Sequence, residues 1–279
     1  MTAQYLLQSQ IHRQTHGLTT NMQLILEKIN EPSVTTPTAR PRLAALLQNN
    51  LDSCASTIIS GRAGSGKTFL VSDFAHKCGR PVAWYKVDAP DSEIPVFFEY
   101  LAASIAQQRA NFDEESIRSL AAISTADDIP LLAERLVFEL SEGPATPLLI
   151  VIEDLHLVCD TDWLVPFLEP FLRLTPPNVH ILITSRTLPP APLWRMRSKQ
   201  TLAVVEEATL AFTREEAVQL FEDYGLTRQQ AYLAFDRTNG RAGSLARYAA
   251  MLGKTPKELV SHASILTWRR RAAQSNAGD

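Results

Sequence analysis

The stretch Gly61-Arg62-Ala63-Gly64-Ser65-Gly66-Lys67-Thr68 matches the phosphate-binding loop pattern G-x-x-x-x-G-K-[ST] at every position. Glycines let the backbone curl so that successive N–H groups point inward at phosphate oxygens. The Lys67 ammonium supplies a flexible positive charge for the β- and γ-phosphates, and the Thr68 hydroxyl is a suitable ligand for Mg²⁺. We therefore expect residues 61–68, together with Phe69, to bind ATP or ADP with Mg²⁺.

The residues on either side of this loop have the order of elements that the motif requires. Residues 56–60 form a short β-branched run that predicts a strand, and residues 69–75 have the apolar spacing of a helix. A helix that begins at about Gly66 directs the positive end of its dipole at the same anion. Strand, loop and helix together favour a phosphate-binding loop over a flexible Gly/Ser surface loop.

Composition limits the class of protein. The chain has 279 residues, with 45% hydrophobic and 20% charged residues, which allows a sizeable core in one large domain or two smaller ones. The net charge of −3 argues against a generally basic surface, so DNA binding is not evident. Three cysteines without a C-x-x-C pair fit a reducing cytoplasm, and no apolar run predicts a membrane span.

The apolar pattern also predicts the domain organisation. Predicted strands at residues 82–87, 147–152, 180–184 and 202–205 alternate with helices, which is typical of a parallel α/β sheet flanked by helices. From Thr213 the pattern is helical only, and Thr213 with Glu216 forms a capping box. We expect three parts: an N-terminal helical extension and linker at 1–33, a P-loop nucleotide-binding domain at 34–208, and a small all-α lid domain with a C-terminal tail at 209–279.

Two further strand ends carry chemistry for a phosphate site. Glu153 and Asp154 follow an apolar strand, as in a Walker B element, whose acids hold Mg²⁺ and orient a water molecule. The usual first acid is Asp, so two assignments stay open: Glu153 sits at the metal and Asp154 polarises the water, or the reverse. Arg186 follows the next apolar strand, where its guanidinium is expected to reach the γ-phosphate. The predicted catalytic set is Lys67, Glu153, Asp154 and Arg186; the predicted metal set is Thr68, Glu153 and Asp154.

With these motifs the chain resembles the STAND-type signal-transduction ATPases, in the branch of MalT-like and other large LuxR-type regulators. The resemblance runs from about residue 34 to about residue 252. It rests on RPRL at 40–43, GRAGSGKT at 61–68, VAWYKVDAPDSE at 82–93, VIEDLHLV at 151–158, ILITSRTLP at 181–189, LAFTREEAVQLF at 210–221 and TNGRAGSL at 238–245. The chain then corresponds to the nucleotide-binding and first helical parts of such a regulator.

The resemblance implies a nucleotide switch in transcriptional or signal regulation. In such proteins ADP holds a closed monomer, ATP and an inducer favour an open, self-associating form, and slow hydrolysis resets the state. It also implies that Val34 and Arg42 line the adenine. Two departures stand out, because Arg241 replaces the family's Trp and Ala242 falls where a related G-x-P sensor has Pro. Closure over ADP is therefore expected to be weaker or built differently.

Two other functions remain open at this point. A non-catalytic nucleotide-dependent module would bind ATP or ADP and recruit a protein partner through the N-terminal helices without turning nucleotide over. An AAA+ ATPase or loader acting on DNA or protein would need an arginine finger that reaches the next subunit. Phosphate release separates the first from the switch, and ATP-dependent rings with fast turnover would indicate the second.

Overall fold

The computed structural model describes residues 24–33, 38–142 and 145–253. Its centre is a five-stranded, wholly parallel sheet with the order β2-β3-β4-β1-β5. The strands are β1 (Ser56–Ser60), β2 (Val82–Lys86), β3 (Leu148–Glu153), β4 (Val179–Ser185) and β5 (Leu202–Val205). The predicted α/β class with a parallel sheet is confirmed. Val34, the predicted helices before residue 24 and the tail after residue 253 lie outside the described residues.

Helices cover both faces of the sheet and continue beyond its last strand. They are α1 (Leu26–Ile29), α2 (Pro41–Ser53), α3 (Lys67–Lys77), α4 (Ile94–Ala106), α5 (Glu114–Ile123), α6 (Ile129–Glu142), α7 (Leu164–Leu174), α8 (Trp194–Ser198), α9 (Glu207–Leu210), α10 (Arg214–Asp223), α11 (Arg228–Thr238) and α12 (Ala242–Leu252). The sequence pattern did not indicate α5, which begins where the Asp113 side chain accepts a hydrogen bond from the Ser116 backbone N–H.

Strands β3 and β4 are buried along their whole length, as their continuous apolar sequences predict for inner strands of a parallel sheet. Alternate residues of β3 enter two different cores. Ile150 and Ile152 pack with α4 to α7 on one face, whereas Leu149 and Val151 pack with α2 and α3 on the other. This two-sided burial fixes the register of the sheet and therefore the position of each strand end.

Helices α10 to α12 pack around an apolar cluster that is separate from the two sheet cores, and we refer to this helical unit as the lid domain. Phe221 and Leu245 are fully buried in that cluster. The Thr213 side chain accepts a hydrogen bond from the Glu216 backbone N–H, which confirms the predicted capping box. Gly240 lies between α11 and α12 at φ 73°, and a Cβ there would lie 2.5 Å from the Phe212 carbonyl oxygen. Only glycine fits this close turn, which sets the direction in which α12 starts.

In the part of the chain that the structure describes, no helix combines the length and apolar character needed to cross a bilayer.

Candidate nucleotide-binding site

The strand order brings the three predicted elements to one edge of the sheet. Strand β4 lies between β1 and β3, so the loop after β4 lies between the phosphate-binding loop (residues 61–68) and the acids at the end of β3. Because all five strands are parallel, their carboxyl ends share the edge at which ligands of open α/β sheets bind. Lys67, Glu153, Asp154 and Arg186 all start from this edge.

The phosphate-binding loop has the backbone shape that the sequence predicts. Gly64 and Gly66 have φ of 77° and 93°, the left-handed region that turns successive N–H groups into a concave anion site. Helix α3 begins at Lys67, directly after Gly66, so its free N–H groups and dipole point into the same concavity. The side chain of Arg62 points elsewhere, because it forms an exposed ion pair with Glu207.

Lys67 is the buried cation of the site. Its ammonium donates hydrogen bonds to the Gly61 and Arg62 carbonyl oxygens of the loop. Burial lowers the pKa of Lys67, and the charge of Asp154 opposes that shift. An ammonium held among loop carbonyls in a low-dielectric site attracts a phosphate much more strongly than one in water.

Thr68 and Glu153 are in direct contact across the site. The Thr68 hydroxyl donates to Oε1 of Glu153, a carboxylate that is only 1% exposed. Burial raises the pKa of Glu153, and the hydrogen bond from Thr68 opposes the shift. Its second oxygen, Oε2, is buried and meets no hydrogen-bond partner of ordinary geometry among the described residues, although the nearby Trp84 side chain also opposes the rise in the pKa. A buried carboxylate oxygen without a partner is costly, which favours a cation or a metal-bound water beside it.

Asp154 has a strained backbone, with φ 60° and ψ 34°. Non-glycine residues rarely adopt this left-handed conformation, and such strain concentrates at functional sites. A hydrogen bond of 3.1 Å from its backbone N–H to the Thr184 hydroxyl holds the conformation. The Asp154 side chain is 31% exposed, so it is more open to solvent than the buried Glu153 carboxylate.

Arg186 and His156 complete the polar surroundings. Arg186 is exposed. Burial lowers the pKa of Lys67 and of His156, and the charge of Arg186 adds to both shifts, because its guanidinium lies near these groups. His156 lies 3.8 Å from Asp154, measured from Nδ1 to Oδ1. Both of its ring nitrogens are buried without a hydrogen-bond partner among the described residues. Sequence reasoning gave His156 little weight, because a lone histidine carries no motif.

Arg42, expected at the adenine, reaches the start of the lid domain. Its guanidinium donates to the Thr209 and Ala211 carbonyl oxygens and lies 3.3 Å from Glu216. Arg40 contacts the same segment as Arg42: its guanidinium donates to the Leu210 and Ala211 carbonyl oxygens and to Glu216. The two arginines therefore join α2 to the lid domain, and the sequence had singled out only Arg42.

Helix α12 of the lid domain rests directly on the phosphate-binding loop. The backbone N–H of Gly243 donates to the Gly64 carbonyl oxygen at 2.8 Å. Nη2 of Arg241 donates to the Ala63 carbonyl oxygen at 2.6 Å. The lid domain thus contacts the phosphate-binding loop at Ala63 and Gly64, two residues that remain exposed to solvent.

The donor set fits a nucleotide with Mg²⁺. The concave loop and Lys67 suit phosphate, while the hydroxyl of Thr68 and the carboxylates of Glu153 and Asp154 are the hard oxygen ligands that Mg²⁺ prefers. No group of three or more His, Cys, Asp and Glu residues with metal-binding spacing occurs among the described residues. Mg²⁺ usually takes one or two carboxylates and completes its shell with phosphates and water.

Fold and site together define a P-loop nucleoside triphosphatase, and comparison with known proteins gives the family. Residues 38–184 match the model of the AAA ATPase domain family, so the chain belongs to that family. It is 31% identical over 201 residues to the HTH-type transcriptional regulator MalT of Serratia proteamaculans (strain 568). The aligned part is 71% of this chain but only 22% of that regulator, so the chain spans about a fifth of the relative's length.

Among solved structures, the chain resembles a STAND protein with a tetratricopeptide repeat sensor from Pyrococcus horikoshii. The TM-score is 0.51 at 18% identity, with coverage of 77% of this chain and 30% of that one, which shows a shared fold. A Walker-type ATPase of Pyrococcus abyssi gives a TM-score of 0.47 at 13% identity, covering 76% and 66%. The chain is accordingly a P-loop ATPase of the AAA family that is similar to a MalT regulator, and the expected resemblance is confirmed.

Proposed function

We propose that this chain is the nucleotide-switch part of a regulator, which binds ATP and ADP, hydrolyses ATP slowly and changes conformation between the two states. The division into an extension at 1–33, a nucleotide-binding domain at 34–208 and a lid domain at 209–279 belongs to this proposal. Its larger setting is transcriptional or signal regulation, through self-association or a protein partner. The MalT relative, a transcriptional regulator by name, supports that setting.

The observation that supports this proposal most is the contact between the lid domain and the phosphate-binding loop. Gly243 and Arg241 of the lid domain bond the carbonyl oxygens of Gly64 and Ala63, while the loop's N–H groups form the anion site. A helical domain that touches the loop itself experiences any rearrangement caused by bound phosphates. This arrangement favours a conformational switch over an ATPase whose site is remote from the lid.

We assign the roles of the site residues as follows. Lys67 neutralises the β- and γ-phosphates, and Arg186 contacts the γ-phosphate, which only ATP possesses. Thr68 and Glu153 hold Mg²⁺, which supplies electrostatic stabilisation of the phosphates when bound. Asp154 orients the attacking water, because its side chain is more exposed than that of Glu153 and is not tied to Thr68. Val34 and Arg42 stay assigned to the adenine side of the site.

The direct test is to denature the purified protein and chromatograph any nucleotide that it releases. Calorimetric titration with ADP and ATP, in the presence of Mg²⁺, follows on nucleotide-free protein. We expect co-purified ADP or tight binding of both nucleotides. Absence of released nucleotide together with no measurable binding would refute the proposal.

Two substitutions test the assigned roles. Asp154→Asn should keep ATP binding and reduce phosphate release by about 100-fold or more, because the carboxylate that orients water is lost. Arg186→Ala should weaken ATP binding by roughly tenfold and spare ADP, because only ATP has the phosphate that the guanidinium contacts. Equal losses for ATP and ADP would contradict the role of Arg186.

One observation favours a second function, a nucleotide-dependent interaction module without turnover. Glu153 stands where Asp is usual, and its burial raises the pKa of the carboxyl, which weakens it as a metal ligand. In this case nucleotide binds, but phosphate release stays at the background rate. Identical release rates for the unsubstituted protein, Lys67→Ala and Asp154→Ala would favour the module over the ATPase switch.

A further inference from the structure

The contact between α12 and the phosphate-binding loop uses donors on the lid side and carbonyl oxygens on the loop side. Gly243 occupies the second position of α12, where a helix leaves its backbone N–H groups without intrahelical partners. That N–H is bonded to the Gly64 carbonyl oxygen at 2.8 Å. Arg241, immediately before the helix, bonds the Ala63 carbonyl oxygen. Two successive loop carbonyls are thus bonded by the lid domain.

These carbonyls belong to the peptide groups that shape the anion site. In a loop of this kind the N–H groups face the phosphates, whereas the Ala63 and Gly64 carbonyl oxygens face the lid domain. A donor on the carbonyl oxygen polarises the peptide group and strengthens its N–H as a donor. The lid domain can therefore act on bound phosphate through the loop main chain, without touching the phosphate.

Close packing makes this contact depend on residue size. A Cβ added at Gly243 would lie 2.9 Å from the Gly64 carbonyl oxygen and 3.2 Å from its Cα, both of them backbone atoms. A Cβ added at Gly66 would lie 3.1 Å from the Cβ of Ala242. Helix α12 therefore approaches the loop as closely as a residue without a side chain allows, and the helix must move away if Gly243 gains one.

We propose that Arg241 and Gly243 form a latch: they bond main-chain carbonyl oxygens of the phosphate-binding loop, hold the loop in position and slow the release of the bound nucleotide. The proposal rests on the nucleotide switch described above and adds the means by which the lid domain acts on affinity. By linkage, phosphate binding strengthens lid closure by the same factor as closure strengthens phosphate binding.

The test compares binding of ADP and of inorganic pyrophosphate, which has no base. Arg241→Gln replaces the guanidinium by a shorter, neutral amide that does not span the distance to the Ala63 carbonyl oxygen. Gly243→Ala prevents the close approach of α12 to the loop while it improves helix propensity. We expect both variants to lose affinity for both ligands by a similar factor, roughly 5- to 50-fold, with faster ADP release. Arg241→Lys, which keeps a donor, should recover part of the loss.

Hydrogen exchange supplies a readout that does not depend on catalysis. In the unsubstituted protein, pyrophosphate should slow exchange of the first amides of α12, which have no intrahelical acceptor. That protection should be absent in Arg241→Gln and in Gly243→Ala. Arg247→Gln is the matched control, since Arg247 is exposed on the same helix and has no contact with the loop within the described chain. It should behave as the unsubstituted protein does.

Each result has a defined meaning. Normal ligand binding by both latch variants overturns the latch and leaves the switch standing. Loss of ADP affinity with unchanged pyrophosphate affinity also overturns it, because the lid domain would then act through the base. If the unsubstituted protein binds neither ligand, the proposed function and the latch fail together. Thermal unfolding of each variant without ligand shows whether a loss comes from misfolding, and Arg241→Gln decides if Gly243→Ala does not fold.

Discussion

The nucleotide-binding domain and the lid domain are held in place by different forces. The sheet is fixed by apolar burial on both faces, with Ile150, Ile152, Val151 and Leu182 at 0 to 1% exposure. The lid domain contacts the nucleotide-binding domain through polar groups. The contacts are Arg40 and Arg42 with Glu216, Thr38 with Asp223, and Arg241 with Ala63. Apolar burial is strong and non-directional, whereas hydrogen bonds and ion pairs contribute less and depend on geometry.

This difference in interactions indicates which of the two domains changes position in the proposed switch. A polar interface can exchange its partners for water at small cost, while an apolar core cannot open without exposing large areas. We therefore expect the sheet edge to keep its shape and the lid domain to change position. The substitutions below test this contrast, starting with the largest expected effect.

Lys67→Ala tests the phosphate-binding loop, which belongs to the nucleotide-binding domain. The variant should lose about 2–5 kcal/mol of ADP binding free energy, because buried phosphates are left without their cation. Global stability should change little, since the ammonium bonds only two loop carbonyls. Calorimetry measures the affinity, and Lys77→Ala at the exposed end of the same helix is the control. Equal affinity of Lys67→Ala and the unsubstituted protein would remove the loop from nucleotide binding.

Arg40→Ala tests the polar side. The variant loses bonds to two carbonyl oxygens and to Glu216, and also the contact with the Phe212 ring at 4.0 Å. We expect a loss of about 1.5–3 kcal/mol in the free energy that holds the lid domain, seen as an earlier, separate unfolding step in urea.

Arg214→Ala is the matched control, because Arg214 pairs with Asp236 on the exposed surface of the lid domain. Exposed pairs contribute about 0–1 kcal/mol, so this variant should unfold nearly as the unsubstituted protein does. A single unchanged transition in Arg40→Ala would show that the two domains unfold as one unit and would remove the contrast between them.

His180 tests the sheet at the edge opposite the site. Its Nδ1–H donates to the Cys54 carbonyl oxygen, and its Nε2 accepts from the Thr57 hydroxyl. Burial lowers the pKa of His180 to about 4, against about 6.5 in an unfolded chain. Between these values the unfolded chain binds more protons, so stability rises with increasing pH by up to about 1.4 kcal/mol per unit. The contribution is complete above about pH 6.5 and fully lost below about pH 4.

His180→Gln should remove this part of the pH dependence. Urea midpoints of the two proteins at several pH values between 4 and 7.5 measure it, because the difference between the curves cancels the other titrating groups. Parallel curves would mean that His180 becomes charged inside the folded protein, and the burial argument would fail.

Much of this molecule was predictable from local sequence. The loop at 61–68, the strand ends at Glu153 and Ser185, and the capping box at Thr213 all depend on neighbouring residues, because backbone shape and helix capping are local. Helix α5 was missed, although its N-cap Asp113 and the acidic residues of its first turn are local signals of a helix start. The role of Arg40 at the lid domain also escaped notice, because its partners lie about 170 residues away.

Local sequence patterns predicted a phosphate-binding loop, two strand-end acids and a strand-end arginine on a parallel sheet. The position of β4 between β1 and β3 was visible only in the folded protein. This strand order places the loop that carries Arg186 between the phosphate-binding loop and the acids. Only the tertiary structure decided that Gly243 and Arg241 reach the loop from a helix almost 180 residues further along the chain. The reason is physical: motifs follow from backbone geometry within a few residues, whereas strand order and domain contact follow from burial and packing across the whole chain.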